Sequence, residues 1–120
     1  MKYIANAFSL QMLPAMDMIA SIVQVNPDEV PADVVSAIGH ADTAAVVSNI
    51  IGREIPVNRV SISLEPGDVL YVAQLQGGRL PEGATTLPEG FSLRFLMVKV
   101  TPMSYPGHDC PVYCPMAGIF

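Results

Sequence analysis

The sequence predicts a single α/β domain, and three observations support that prediction. The chain has 120 residues, which is the length of one ordinary domain. Short apolar segments rich in β-branched residues alternate along it with segments of helical spacing. Hydrophobic residues make up 51% of the chain and charged residues only 14%, so there is enough apolar surface to offset the entropy of ordering.

Five segments are predicted to be strands, because each is short and either β-branched or alternates apolar and polar residues with period two. They are residues 2–5, 18–25, 60–65, 69–76 and 91–100. For the second segment, Met16 and Met18 are also compatible with a helix, which is kept as the alternative. A turn with Pro before Gly at 65–68 predicts that the third and fourth strands form a hairpin.

Two helices are predicted before the third strand. Pro31 suits a first helical position, and Gly39 would end that helix with a positive φ. Asp42 is a suitable N-cap for a second helix over 43–51, which Gly52 would close in the same way. The Gly-rich segment 77–90 is predicted to be a long loop, and loops of that length are usually functional or disordered.

Charge and composition exclude several classes of function. Six basic against eleven acidic residues give a net charge of −5, which argues against a broad basic face for duplex nucleic acid or an anionic membrane. Neither an apolar stretch long enough to span a bilayer nor a signal peptide is present. The two late cysteines do not look like a secreted framework, so we expect an intracellular, cytoplasmic protein. The low charge also favours a homo-oligomer.

Candidate chemistry centres on His40, which directly precedes the predicted second helix. Free amides and a positive dipole there favour an anion, and imidazole can exchange protons near neutral pH. Arg79 and Glu82 share the Gly-rich loop, and Arg59 starts a predicted strand. Arg suits bidentate phosphate contact. The alternatives are a capping or packing histidine, an exposed ion pair and the polar face of a strand.

Other motifs are absent or weak. No phosphate-binding P-loop, G-x-S-x-G or H-E-x-x-H pattern occurs, and no carboxylate cluster supports metal-assisted cleavage. His108, Cys110 and Cys114 match no zinc spacing, so we interpret them as an irregular tail with unpaired thiols. The remaining set of His, Arg, Glu and an Asn/Ser turn suits metal-free cleavage of an RNA phosphodiester, in which the substrate's own 2′-hydroxyl is the nucleophile.

A family resemblance is carried by short segments that occur in order along residues 1–100. They are Asn6-Ala7-Phe8-Ser9-Leu10-Gln11-Met12-Leu13, Ile38-Gly39-His40 with Thr43, Asn58-Arg59-Val60, Gly67-Asp68-Val69-Leu70, Gln74-Leu75 and Arg79-Leu80-Pro81-Glu82-Gly83. With them the chain resembles the viral anti-CRISPR ring nucleases that act against type III systems, and their cellular CRISPR-associated relatives. Residues 14–33 match only loosely, and the tail 101–120 lies outside the resemblance.

The resemblance implies a mixed β-sheet flanked by α-helices in a symmetric homodimer. It implies that one cyclic tetra-adenylate binds across the two-fold axis and is cleaved to linear di-adenylates, which switches off the effector nucleases. No metal and no cofactor is implied, and the protein would act in the host cell cytoplasm if it is viral. Two alternatives remain, a non-catalytic dimer that sequesters the ring and a small structural or regulatory dimer.

Site residues follow from the same resemblance. His40 would be the general acid, Arg79 would stabilise the phosphate, and Glu82 would position the arginine or the ribose. The remaining residues would bind the ligand. They are Asn6, Ser9, Gln11, Arg59 and Gln74.

Overall fold

One sheet of five strands organises the part of the chain that the computed structural model describes, residues 1–13 and 17–102. The strands are β1 (Lys2–Ala5), β2 (Met18–Val25), β3 (Val35–Ser36), β4 (Val69–Gln76) and β5 (Ser92–Pro102). Between β3 and β4 lies the α-helix of this part of the chain, α1 (Ala41–Ile51). Two single 3₁₀ turns, Leu10–Met12 and Pro27–Glu29, complete the regular structure described there. The predicted α/β class with a mixed sheet is confirmed.

The strand order is β2-β5-β4-β1-β3. β1 pairs in parallel with β3 on one side and with β4 on the other, with Ile4 opposite Ser36 and Tyr71. β5 runs antiparallel to both β4 and β2. The carboxyl ends of β3, β1 and β4 therefore meet at one edge of the sheet, where α/β proteins usually bind their ligands.

The sheet buries a hydrophobic core on each face. On one face, α1 places Ala44 and Val47 against Ile4, Tyr71 and Phe95. No α-helix of the described residues packs on the opposite face. Its core residues are instead covered by partly buried side chains of the segments before and after α1, among them Phe8, Met12 and Ile62. These covering segments also form the walls of the candidate site.

The predicted strand over 60–65 and its hairpin with 69–76 are wrong. Residues 60–65 are extended but belong to no strand, because both edges of β4 are already paired with β1 and β5. The alternation reflects one-sided burial instead: Leu64 is 1% exposed, whereas Val60 is 49% exposed. One backbone hydrogen bond, from the Leu64 amide to the Met12 carbonyl at 2.7 Å, holds the segment on the second face.

The predicted helix that starts at Pro31 is also wrong. The chain forms a 3₁₀ turn before it and the short strand β3 within it, where Val35 and Ser36 pair with β1. Apolar residues at 34, 35 and 38 fit a helix face, but the ladder with a strand some thirty residues earlier decides the conformation. Gly39 consequently ends no helix, and its φ is not positive.

The second predicted helix is confirmed, with a corrected start. α1 begins at Ala41 with His40 at the N-cap, so Asp42 lies in the first turn and is not the cap. The predicted end is right, since Gly52 adopts φ +90° and its amide bonds to the Ser48 carbonyl. Strands 2–5, 18–25 and 69–76 form as predicted, and β5 runs from 92 to 102.

Within residues 1–13 and 17–102, no helix has the length and apolar character needed to cross a bilayer. β5 continues to Pro102, two residues past the end of the resemblance at residue 100. His108, Cys110 and Cys114 lie outside the described residues.

Candidate functional site

The main cleft opens at the edge where the parallel strands end, and it has a volume of about 450 Å³. Its floor is the end of β1 together with the residues that follow β3. Its walls come from the 3₁₀ turn after β1 and from the extended segment 59–63. Five of the residues predicted for the site line this one cleft. They are Asn6, Ser9, Gln11, His40 and Arg59.

The first turn holds three of these residues in place. Asn6 directly follows β1, so its position is fixed by the sheet. Ser9 caps the 3₁₀ turn, because its hydroxyl accepts a hydrogen bond from the Gln11 amide at 3.2 Å. The turn therefore presents a hydroxyl and two side-chain amides to the cleft.

His40 occupies the N-cap of α1 with an extended backbone, φ −122° and ψ 130°. Its side chain is exposed, and no side-chain cap hydrogen bond is made there. The amides of the first helical turn therefore keep their capacity to bind an anion beside the imidazole. The geometry places an imidazole at the N-terminal end of α1, beside the amides of its first turn.

Arg59 lies across the glycine that precedes His40. Its Nε donates a hydrogen bond to the Gly39 carbonyl at 3.3 Å. A Cβ on Gly39 would lie 3.4 Å from the Arg59 Cγ, so the arginine side chain packs directly over this glycine. The backbone contact uses only Nε, and within residues 1–13 and 17–102 the two terminal nitrogens of the guanidinium, which are also donors, make no hydrogen bond.

The electrostatics of the main cleft differ from those of the whole chain. The chain carries a net charge of −5. Among the described residues that line the main cleft, however, none is acidic, and Arg59 and His40 are its ionisable groups. An anion can therefore enter without meeting a lining carboxylate.

A second cavity of about 560 Å³, the loop cleft, lies on the other side of His40. It is lined by Asp42 and Thr43 of α1, by the end of β4, and by Arg79 of the Gly-rich loop. His40 lines both clefts. His40 is therefore shared by the cavity that Arg59 lines and the cavity that Arg79 lines.

Two hydrogen bonds dock the Gly-rich loop on α1. The Gly83 amide donates to the Asp42 carboxylate at 3.2 Å. Two helical turns later, the side-chain Nδ2 of Asn49 donates to the Thr85 carbonyl at 3.4 Å. Asp42 thus ties the loop that carries Arg79 to the helix that His40 caps.

Glu82 and Gln74 line neither the main cleft nor the loop cleft. Glu82 is exposed and lines neither cleft, and the described residues include no ion pair between it and Arg79. Gln74 lines a third cavity of about 220 Å³, the side pocket, on the sheet face opposite α1. Asn6 and Ala7 line both the side pocket and the main cleft, so the two cavities are adjacent.

Sequence reasoning missed three residues of the site. Ser61 and Ser63 line the main cleft, although their alternation with apolar residues was interpreted as the solvent face of a strand. Asp42 was expected to cap a helix, whereas its carboxylate anchors the loop. The sequence signal that could have assigned Asp42 to the site is its position two residues after His40. Within the described ranges, no group of three or more His, Cys, Asp or Glu residues is placed to hold a metal ion.

Comparisons with known proteins give the family. A model of the STIV B116-like family matches residues 2–92. "Uncharacterized protein 26" of Sulfolobus islandicus filamentous virus (isolate Iceland/Hveragerdi) is 34% identical over 88 residues, which cover 69% of this chain and 74% of that protein. B116 of Sulfolobus turreted icosahedral virus superposes with a TM-score of 0.67 at 22% identity, over 82% of this chain and 97% of that one, which shows a shared fold. The chain belongs to the STIV B116-like family of viral proteins.

Proposed function

We propose that this protein is a metal-independent ring nuclease that cleaves cyclic tetra-adenylate to linear di-adenylates and thereby switches off type III CRISPR effector nucleases. One observation carries the proposal: His40 stands at a helix N-terminus and lines both the cleft of Arg59 and the cleft of Arg79. A histidine shared by two cavities, each with an arginine in its lining, suits acid catalysis at a phosphate.

The proposed reaction is an internal transesterification at an RNA phosphodiester. The ribose 2′-oxygen forms a bond to phosphorus and loses its proton to solvent, while the bond from phosphorus to the 5′-oxygen breaks. The imidazolium of His40 gives its proton to that 5′-oxygen. Each cleavage leaves a 2′,3′-cyclic phosphate and a 5′-hydroxyl, and two cleavages of the ring yield two di-adenylates. No water is consumed in these steps.

The other site residues bind and orient the ring. The guanidinium groups of Arg59 and Arg79 would stabilise phosphate charge, which grows at the reacting centre in the transition state. Ser9 and Gln11 would hold ribose or phosphate oxygens of the main cleft. A ring with four identical nucleotides matches a two-fold dimer in which each copy supplies the same half of the site. Glu82, exposed at the loop, would reach the ring only after the loop closes or from the second copy.

The proposal is tested by incubating labelled cyclic tetra-adenylate with protein in excess EDTA. We expect linear product from the wild-type protein. His40→Ala should lower the single-turnover rate by roughly 10²- to 10⁴-fold, the range for loss of a general acid, with binding largely retained. Lys99→Ala, which removes an exposed cation far from the clefts, is the matched control and should cleave normally. Full activity of His40→Ala would overturn the catalytic assignment.

A second candidate function follows from the position of Glu82. Because its carboxylate lines neither cleft, the site is also compatible with a protein that sequesters the ring without cleaving it. In the same assay, retention of intact ring by the wild-type protein would identify such a binder. Neither retention nor product would leave a structural or regulatory dimer as the remaining interpretation.

A further inference from the structure

The edge strand β2 carries an apolar surface that the described residues leave uncovered. Val25, at the end of β2, packs against the core that α1 covers. Side chains alternate along a strand, so Ile19, Ser21 and Val23 point to that same face of the sheet. Ile19 is nevertheless 50% exposed and Val23 44% exposed. Ile19, Ser21 and Val23 together form the β2 patch.

The composition of β2 makes this exposure unfavourable. None of its eight residues is charged, and six of them are exposed. β2 is also an edge strand, because β5 is its one neighbour in the sheet that the described residues form. Natural proteins protect such edges with charged side chains or cover them with another segment. Since β2 has no charges, we expect the β2 patch to be covered.

The chain continues directly beside the β2 patch. β5 ends at Pro102, opposite Met18 at the start of β2. The 18 residues of the segment 103–120 follow from that point. Along β2, Val23 lies about 17 Å from Met18, whereas 18 residues of extended chain span about 60 Å. The segment 103–120 is therefore long enough to turn back and cover the whole β2 patch.

The chemistry of the segment 103–120 matches that of the β2 patch. The segment is largely apolar and aromatic, with two tyrosines, two methionines and the pair Ile119-Phe120. Its one acidic residue is Asp109, and it contains no lysine or arginine. Lys99 is exposed on β5 directly opposite Ser21, so a cation lies beside the patch. An apolar segment with one carboxylate thus complements an apolar patch with one lysine.

We infer that the segment 103–120 folds back over the β2 patch and places apolar side chains on Ile19 and Val23. Covalent attachment favours this occupant over a separate molecule, because a tethered segment has an effective concentration in the millimolar range. The cover would shield an uncharged edge strand from pairing with another chain. None of the patch residues lines the main cleft or the loop cleft, so the cover is separate from the candidate site.

The two cysteines of the chain, Cys110 and Cys114, make this contact measurable, because both belong to the segment 103–120. Ser21→Cys adds a thiol to the β2 patch. It is combined with Cys114→Ser and, separately, with Cys110→Ser, so that each full-length protein has two thiols for a short bis-maleimide cross-linker. Ala20→Cys, in the same two backgrounds, is the matched control, since Ala20 is also exposed on β2 but points to the opposite face.

In at least one of the two backgrounds, we expect Ser21→Cys to form the cross-link within one chain at least about fivefold faster than Ala20→Cys. A docked segment lies on one face of β2, whereas an undocked segment reaches both faces equally. The cross-linked peptides are identified by mass spectrometry of the monomer band. Equal rates at the two positions in both backgrounds would overturn the inference. So would a cross-link found only in a covalent dimer, which would assign the β2 patch to a second copy.

A second substitution tests whether apolar contact holds the segment in place. Val23→Asp, added to the Ser21→Cys proteins, puts a carboxylate in the middle of the β2 patch. We expect the cross-linking rate to fall to about that of Ala20→Cys, because an apolar segment does not pack on a charge. Val23 is exposed, so the sheet should form normally, which circular dichroism checks. An unchanged cross-linking rate in this variant would also overturn the inference.

Discussion

Replacing Gly77 by alanine tests how the Gly-rich loop is attached to the sheet. Gly77 is the first residue after β4 and has φ +114°. A Cβ at this position would lie 2.7 Å from the Gly90 carbonyl oxygen and 2.9 Å from the Phe91 Cα. Both are backbone atoms of the far end of the loop, so no rotamer change can relieve the overlap.

The destabilisation expected for Gly77→Ala has two parts. A left-handed backbone costs a non-glycine residue about 1–2 kcal/mol. Forcing extra volume into a packed contact adds about 1–3 kcal/mol, so the expected loss in the free energy of unfolding is about 2–5 kcal/mol. Gly52→Ala isolates the first part, because Gly52 has φ +90° but a Cβ there would meet nothing within 4 Å. We expect it to lose only about 1–2 kcal/mol.

The assay is urea denaturation of both variants followed by circular dichroism, with the difference between them as the readout. The structure predicts that Gly77→Ala is the less stable variant by at least about 1 kcal/mol. Equal losses would refute the close approach of Gly77 to residues 90 and 91, and with it the described closure of the loop.

Two further changes test the loop anchor and the second core. Asp42→Ala should raise the rate of trypsin cleavage after Arg79 about two- to tenfold, because one exposed hydrogen bond to the loop is lost. Asp42→Asn keeps an acceptor and should be cleaved at close to the wild-type rate. Identical cleavage rates in all three proteins would contradict the role of Asp42 as the loop anchor. Leu64→Ala should destabilise the fold by about 2–5 kcal/mol, measured by urea denaturation, because Leu64 is fully buried outside any strand. Val60→Ala, at an exposed position of the same segment, should change stability by less than about 0.5 kcal/mol; a similar loss in both would show that this segment does not cover the core.

The strand over 69–76 could be predicted to the residue because its signals are local. Pro66 and Gly67 close a turn before it, in which the Asp68 amide bonds to the Glu65 carbonyl at 2.9 Å. Gly77 ends it with a positive φ. The α1 helix was predictable for the same reason, since a helical stripe of buried residues ends at Gly52.

The errors arose where distant pairing decides the structure. Val35 and Ser36 form a strand only because β1 offers a free edge. Ile62 and Leu64 alternate with exposed residues, but β4 has no edge left to pair with them. An alternating pattern records which side of an extended segment is buried and says nothing about whether a neighbouring strand is free.

The candidate site was predictable in its composition and less so in its arrangement. Asn6, His40 and Arg59 come from three separate segments and meet in one cleft. The contact between Asp42 and the loop joins residues 41 positions apart, which no local pattern reveals. The separation of Gln74 into a side pocket likewise depends on which face of the sheet each strand residue occupies.

The most direct test of the central claim asks whether His40 protonates the leaving oxygen. A cyclic tetra-adenylate in which sulfur replaces each bridging 5′-oxygen has a leaving group that needs no proton. We predict that His40→Ala, although almost inactive on the natural ring, cleaves the sulfur-containing ring at close to the wild-type rate. The contradicting result has two parts. The wild-type protein cleaves the sulfur-containing ring, whereas His40→Ala binds that ring without cleaving it. His40 would then have a role other than protonation of the leaving oxygen.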